Sequence, residues 1–208
     1  MTKNKIYNDI DKYYSNKIKL FGTNHKGLDW KTEESQFIRF HQLSEIIDAD
    51  NSSLNDIGCG LGDLTRHINN NFSNIKYTGY DISRVMINNA TKLYPQNKFI
   101  HVKNLNKNVK VADYSIASGI FNVKMKYSKT QWLAFILSTL KQINLKSKKG
   151  FSFNLLSKYS DKHHMKDNLF YANPLFFFDY CISNFSKNIC LKHDYNLYEF
   201  TVLVRKNN

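Results

Sequence analysis

Leu54-Asn55-Asp56-Ile57-Gly58-Cys59-Gly60-Leu61-Gly62-Asp63 decides the fold of this chain. An apolar-leaning run enters from Leu54, three glycines follow at alternate positions, and Leu64, His67, Ile68 and Phe72 leave at helical spacing, which reads as strand, tight turn and helix. Glycine accepts positive φ and lets a ligand lie against the main chain without an intervening Cβ, while the first N–H groups of the next helix face the same space. Ordinary turns use glycine too, so the turn alone names no ligand.

Two neighbouring features narrow the choice. Asp63 stands where a dinucleotide fingerprint has its last glycine, and Asp56 precedes the first glycine by two positions. Carboxylates there repel a pyrophosphate but suit a ligand bearing an ammonium and a sulfonium. Further on, Ile75-Lys76-Tyr77-Thr78-Gly79-Tyr80-Asp81 reads as a second strand ending on an acid. That acid falls about 20 residues past the glycines, the spacing at which a carboxylate meets ribose hydroxyls. Adenosine with a positive, phosphate-free tail describes S-adenosylmethionine. A purely structural turn and a dinucleotide site are the other readings of the glycines.

From Leu54 onward the chain resembles the class I S-adenosylmethionine-dependent methyltransferases: D-I-G-C-G-L-G looks like their first motif and G-Y-D-I-S like the acid that follows it. The resemblance implies a backbone cradle from Gly58, Gly60 and Gly62, Asp56 near the methionine ammonium, and Asp81 on the ribose, with Ile82 and Ser118 in the same cofactor set. Family members often carry an acid after the third strand for the adenine amine. Here the stretch is Lys103-Asn104-Leu105-Asn106, a departure that leaves Asn104 as the candidate.

At 208 residues the chain is long enough to bury a core as one domain. Cys59, Cys181 and Cys190 are scattered without ligand spacing, which points to a reduced, cytoplasmic compartment and implies no metal. The N-terminus lacks an apolar signal region, and Leu175-Phe176-Phe177-Phe178 is far too short to span a bilayer. A net charge of +13 raises the question of nucleic acid, but the lysines are dispersed among asparagines and isoleucines as in a compositional bias.

Periodicity predicts an N-terminal helical cover over residues 1–50, with helices at Lys5–Leu20 and Glu33–Ile47, ahead of a core at 51–208. Within the core, helices are predicted at Asp63–Phe72, Ser83–Tyr94, Lys129–Leu145 and Pro174–Phe185. Strands are predicted at Tyr77–Asp81, Lys98–Val102, Tyr114–Phe121 and Gly150–Leu156, and Ser157–Asn173 as a long polar loop. Ile189–His193 and Glu199–Lys206 then form a hairpin. The fold class is α/β: a Rossmann-like three-layer sandwich whose seven-stranded, mostly parallel sheet ends in an antiparallel hairpin.

Methyl transfer from a sulfonium asks the protein chiefly to align nucleophile and carbon, and to take a proton where the nucleophile carries one. Asn122, after the fourth strand in Ser118-Gly119-Ile120-Phe121-Asn122, is placed to face the methyl group. This stretch is not the N-P-P-Y type, which counts against an amino-group DNA methyltransferase. His25, in the N-terminal loop, is the other catalytic candidate, and Trp30, His163 and Tyr171 are candidate substrate contacts. The expected activity is methylation of O or N on a small molecule, a metabolite, sugar or nucleotide-linked sugar. RNA or protein as acceptor, and a non-catalytic cofactor-binding subunit, are the alternatives.

Overall fold

The computed structural model describes residues 3–28, 32–103 and 108–206, without the side chains of residues 3, 25 and 26. Strand β1 (Ser53–Ile57) lies inside the sheet, flanked by β2 (Lys76–Asp81) and β4 (Ala112–Ala117), both parallel to it. The full order is β3-β2-β1-β4-β5-β8-β7, with β3 at Lys98–His101, β5 at Ser147–Ser157, β7 at Asn188–Lys192 and β8 at Glu199–Arg205. β8 runs antiparallel to both β5 and β7. Parallel neighbours need crossover connections: α3 (Leu64–Asn71) links β1 to β2, α4 (Arg84–Leu93) links β2 to β3, and α5 (Lys129–Leu145) links β4 to β5.

Side-chain alternation sorts the core onto the two sheet faces. On one face Leu54, Tyr114 and Leu203 pack with Phe40, Leu43, Leu64 and Ile68 from α2 (Glu33–Ser44) and α3. On the other, Phe151, Phe153, Phe200 and Val202 meet Trp132 and Ile136 of α5, and Phe177 and Cys181 of α6 (Pro174–Asn184). The predicted three layers are present, and the sheet gains an eighth strand, β6 (Tyr171–Ala172), paired with the end of β5 inside the stretch expected to be loop.

Local chemistry sets the boundaries. Thr32 Oγ1 accepts from the Ser35 N–H at 3.1 Å while Ser35 Oγ accepts from the Thr32 N–H at 3.4 Å, so serine closes a capping box that usually uses Glu or Gln. Ser128 and Gln131 do the same for α5. Helix α2 ends at Ser44, three residues short of the expected Ile47. β4 is displaced from the expected Tyr114–Phe121: it begins at Ala112 and ends at Ala117, because Gly119 at φ +72° turns the chain out of the sheet. Phe121 is instead buried in the core, its carbonyl accepting from Trp132 Nε1 at 2.7 Å.

Helix α1 (Lys3–Phe21) crosses over the carboxyl ends of the strands. Tyr127 donates to Asp9 at 2.7 Å near one end, and Ser15 and Ser83 share a hydrogen bond of 3.1 Å farther along. Ile18 packs with Leu61 and Met86.

Trp132 is fully buried and fixes the segment that carries Asn122, so Trp132→Phe should orphan the Phe121 carbonyl and leave a small cavity where the larger indole stood. Denaturant unfolding should show a loss of about 1–3 kcal/mol with an unchanged slope. An unchanged midpoint would mean that neither the bond nor the larger ring contributes to stability.

Candidate active site

Positive φ at Gly58 (+74°) and Gly60 (+53°) folds the β1–α3 turn back on the end of β2. There the Gly58 and Cys59 N–H groups both donate to the Tyr80 carbonyl, at 2.7 and 3.1 Å. Asp81 closes the arrangement by accepting the Gly60 N–H at 2.9 Å on one oxygen and the Ser83 N–H at 2.8 Å on the other. With the Ile82 N–H as a further, weaker contact, these bonds do not fill all of the carboxylate's acceptor positions, so it remains able to accept from a ribose hydroxyl.

Asp56, at the end of β1, is buried and accepts from Tyr77 OH at 2.6 Å. Burial pushes its carboxyl up to about 7, against the pull of that hydrogen bond and with a further push from Asp81 and Asp63. Burial also raises Asp81, against its backbone N–H bonds. A cation is therefore the partner this cluster favours. Asp63 accepts from Gln36 Nε2 at 3.2 Å and Tyr94 OH at 3.0 Å, tying the turn to α2 and α4.

These groups open onto a cavity of about 400 Å³. Asp56, Gly58, Gly60, Asp81, Ile82, Ser118 and Asn122 all line it, so seven of the sequence candidates come together in one place. Ser118 Oγ is buried there, with no hydrogen-bond partner among the described residues. Gly62 does not line the cavity: a Cβ on it would lie 2.7 Å from the Phe99 ring, so the absent side chain makes room for β3.

His163 and Tyr171 are also absent from the lining. Tyr171 OH accepts from the Lys166 N–H at 3.0 Å, and His163 is exposed in the 3₁₀ turn Lys162–His164. Asp161, His163 and His164, all exposed, have ligand atoms within 4.8 Å of one another. Trp30, Asn104 and the His25 side chain lie outside the described residues.

The cover contributes residues that no motif announced. Tyr7, Ile10, Tyr14 and Lys17 of α1 line the cavity, as do Gln36, Arg39 and Phe40 of α2. Arg39 donates through Nε to buried Glu199 at 2.8 Å, with Nη2 of the same guanidinium 2.6 Å from that oxygen, and through Nη1 to the Ser35 carbonyl at 2.6 Å. The other Glu199 oxygen accepts from Asn154, whose Oδ1 accepts from the Gly119 N–H at 2.7 Å. This series joins α2 to the turn after β4. Its only sequence signal was an arginine on an otherwise apolar helix face between Phe37 and Phe40.

The residues fit S-adenosylmethionine on four counts. They offer a buried carboxylate for an ammonium, an arginine for a carboxylate, an acid with lone pairs for ribose, and an orphaned serine hydroxyl. Three carboxylates around the turn disfavour a pyrophosphate.

A family model described as "Methyltransferase domain" matches residues 55–144. A Mycobacterium tuberculosis (strain ATCC 25618 / H37Rv) protein named "Putative methyltransferase Rv1506c" is 45% identical over 161 residues, which are 76% of this chain and 95% of the relative. Among solved structures, magnesium protoporphyrin IX methyltransferase from Synechocystis PCC 6803 with bound S-adenosylhomocysteine superposes with a TM-score of 0.67 at 14% identity, covering 99% of this chain and all of the other. Human N-acetylserotonin methyltransferase in complex with S-adenosylmethionine gives 0.63 at 14% identity, covering 92% of this chain, which spans only 62% of the human protein. The motif, the site and the relative agree: the chain belongs to the class I S-adenosylmethionine-dependent methyltransferases.

Proposed function

We propose that the protein methylates an oxygen or nitrogen of a small molecule. The observation that carries this reading is the cover: α1 and α2 of the same chain wall a cavity of about 400 Å³, which leaves little room beside the cofactor for anything but a small acceptor. RNA has the net charge of +13 in its favour. Yet two of those cations, Lys148 and Lys149, sit at the amino end of β5, away from the glycine turn, where they add to the Ser53 hydrogen bonds that hold Asp113 below the usual carboxylate range. Three free thiols accord with a reducing, cytoplasmic setting, and no helix of the described residues is long and apolar enough to cross a membrane.

In this reading the bound cofactor supplies an activated methyl group on a sulfonium. The protein's own contribution is to hold and orient. Asp81 takes the ribose hydroxyls, Asp56 the ammonium, Arg39 the carboxylate, and the glycine turn lets the adenosyl portion approach the backbone.

The function is tested by incubating the protein and labelled S-adenosylmethionine with a cell extract fractionated by size. Label should appear in the low-mass fraction, and label confined to RNA or protein would refute the reading.

Two binding predictions follow from the site. Asp81→Asn keeps the shape but cannot accept two backbone N–H groups and a ribose hydroxyl together. Its calorimetric affinity for S-adenosylhomocysteine should fall by about tenfold or more, the weight of one charge-assisted hydrogen bond.

The second concerns pH. With Asp56 raised to about 7 in the free protein, a ligand ammonium favours the ionised form. Affinity should therefore rise with pH up to about 7, by at most about tenfold per unit, and level off above. Asp56→Asn should abolish the slope. The same shift makes the free protein's contribution from Asp56 largest at acid pH and lost as pH rises through about 7.

A further inference from the structure

We propose that the acceptor is a carboxylate-bearing small molecule with an apolar body, methylated on the carboxylate oxygen, and that the Asn122 amide and the Lys166 ammonium bind that oxyanion. The proposal rests on the methyltransferase reading above and names its substrate class.

The direction of the Asn122 amide is fixed by its surroundings. The Leu156 N–H can only donate, and it lies 3.1 Å from Asn122 Oδ1, so the amide oxygen faces Leu156 and Nδ2 presents its two donors elsewhere. No described residue accepts from Nδ2, and Asn122 lines the cavity. The backbone there is held by Phe170 N–H on the Asn122 carbonyl at 2.8 Å and by Trp132 on Phe121. A fixed donor binds a lone pair; it cannot take a proton from a nucleophile.

Lys166 lines the same cavity. Its segment is secured by the Met125 N–H on the Asn168 carbonyl at 3.0 Å, the bridge between Val123 and Leu169, and its own N–H on Tyr171 OH. Its ammonium makes no ion pair with any described residue. It is exposed at the rim, where it can meet an incoming anion.

Of the groups that line the cavity and could act as bases, the carboxylates are already committed, and burial raises the Tyr7 phenol, which keeps its proton. Asp56 and Asp81 belong to the cofactor end, Asp63 is bonded to Gln36 and Tyr94, and both Glu199 oxygens are taken by Arg39 and Asn154. No described histidine side chain lines the cavity. An alcohol or an ammonium must lose a proton to become nucleophilic. A carboxylate, with a pKa of about 4, is already an anion at neutral pH and needs no base. Tyr7, Ile10, Val123, Phe135 and Leu156 supply an apolar wall for the rest of such a molecule.

The step balances without a proton. One carboxylate oxygen forms a bond to the methyl carbon as the carbon–sulfur bond breaks, and that bond's electron pair stays on sulfur. Anion and sulfonium become a neutral methyl ester and a neutral thioether.

The test uses the untagged protein saturated with S-adenosylhomocysteine and compares, by ligand-observed NMR titration, aryl and alkyl carboxylates such as phenylacetate with their matched amides. Carboxylates should bind tighter by about fivefold or more, the scale of a charge-assisted contact. Asn122→Asp, which keeps an acceptor for Leu156 but replaces the donors, and Lys166→Gln should each erase the preference while S-adenosylhomocysteine affinity stays unchanged. Equal or tighter binding of the amides overturns the proposal and leaves the methyltransferase reading standing; failure to bind S-adenosylhomocysteine overturns both.

In the labelled extract, mild alkali should release the transferred methyl as methanol, and alkali-stable label would overturn the ester. His25→Ala should retain activity within about threefold, since removing a working general base costs about 100-fold or more. A collapse of that size would assign the proton to His25 and overturn the carboxylate class.

Discussion

Two backbone N–H groups ending on one carboxylate hold this molecule's site together. Asp81 can receive Gly60 and Ser83 only because β1 and β2 are adjacent, parallel and in register, Ile57 beside Tyr80, so that the glycine turn and the acid leave the sheet side by side. The order reverses at β1, with β2 on one side and β4 on the other, and the crevice at that switch is where open parallel sheets bind ligands. Asp56, Asp81 and Ser118 share a cavity for that reason: each is at or just past the carboxyl end of one of these three strands.

Electrostatics gives the crevice a polarity. Acids gather at the glycine turn and cations line the cavity from the cover and from the late segment, at Lys17, Arg39 and Lys166. Arg39 is held by Glu199, and Glu199 by Asn154, which also receives the Gly119 N–H beside Ser118. A buried ion pair of this kind contributes little net stability when intact and is costly to halve, so its value here is positional. It couples the cover helix to the loop that presents Asn122.

The glycine turn, its two acids and the terminal hairpin were legible because their signals are local. Alternate glycines, an acid at a fixed remove and paired strand patterns each express one element's own chemistry. What escaped reading depends on partners distant in the chain. Arg39 and Glu199 lie 160 residues apart and neither belongs to a motif. Gly62 has the look of a cradle residue, yet Phe99 from β3 fills the space beside it. Tyr171 extends the sheet rather than the cavity, through two residues paired with the end of β5, too short to show a pattern. Ser35 closes its capping box where a longer acid was looked for, since a hydroxyl both receives the Thr32 N–H and donates to the Thr32 carbonyl.

The central claim is that the pocket is built for a nucleoside with a zwitterionic tail, read between Asp56 and Arg39. A crystal structure of the protein with S-adenosylhomocysteine tests it most directly. The account predicts ribose hydroxyls on Asp81, the amino group against Asp56 and the carboxylate against Arg39, with the sulfur turned toward Asn122. A ligand seated elsewhere, or with its amino acid end reversed or away from both residues, would contradict it.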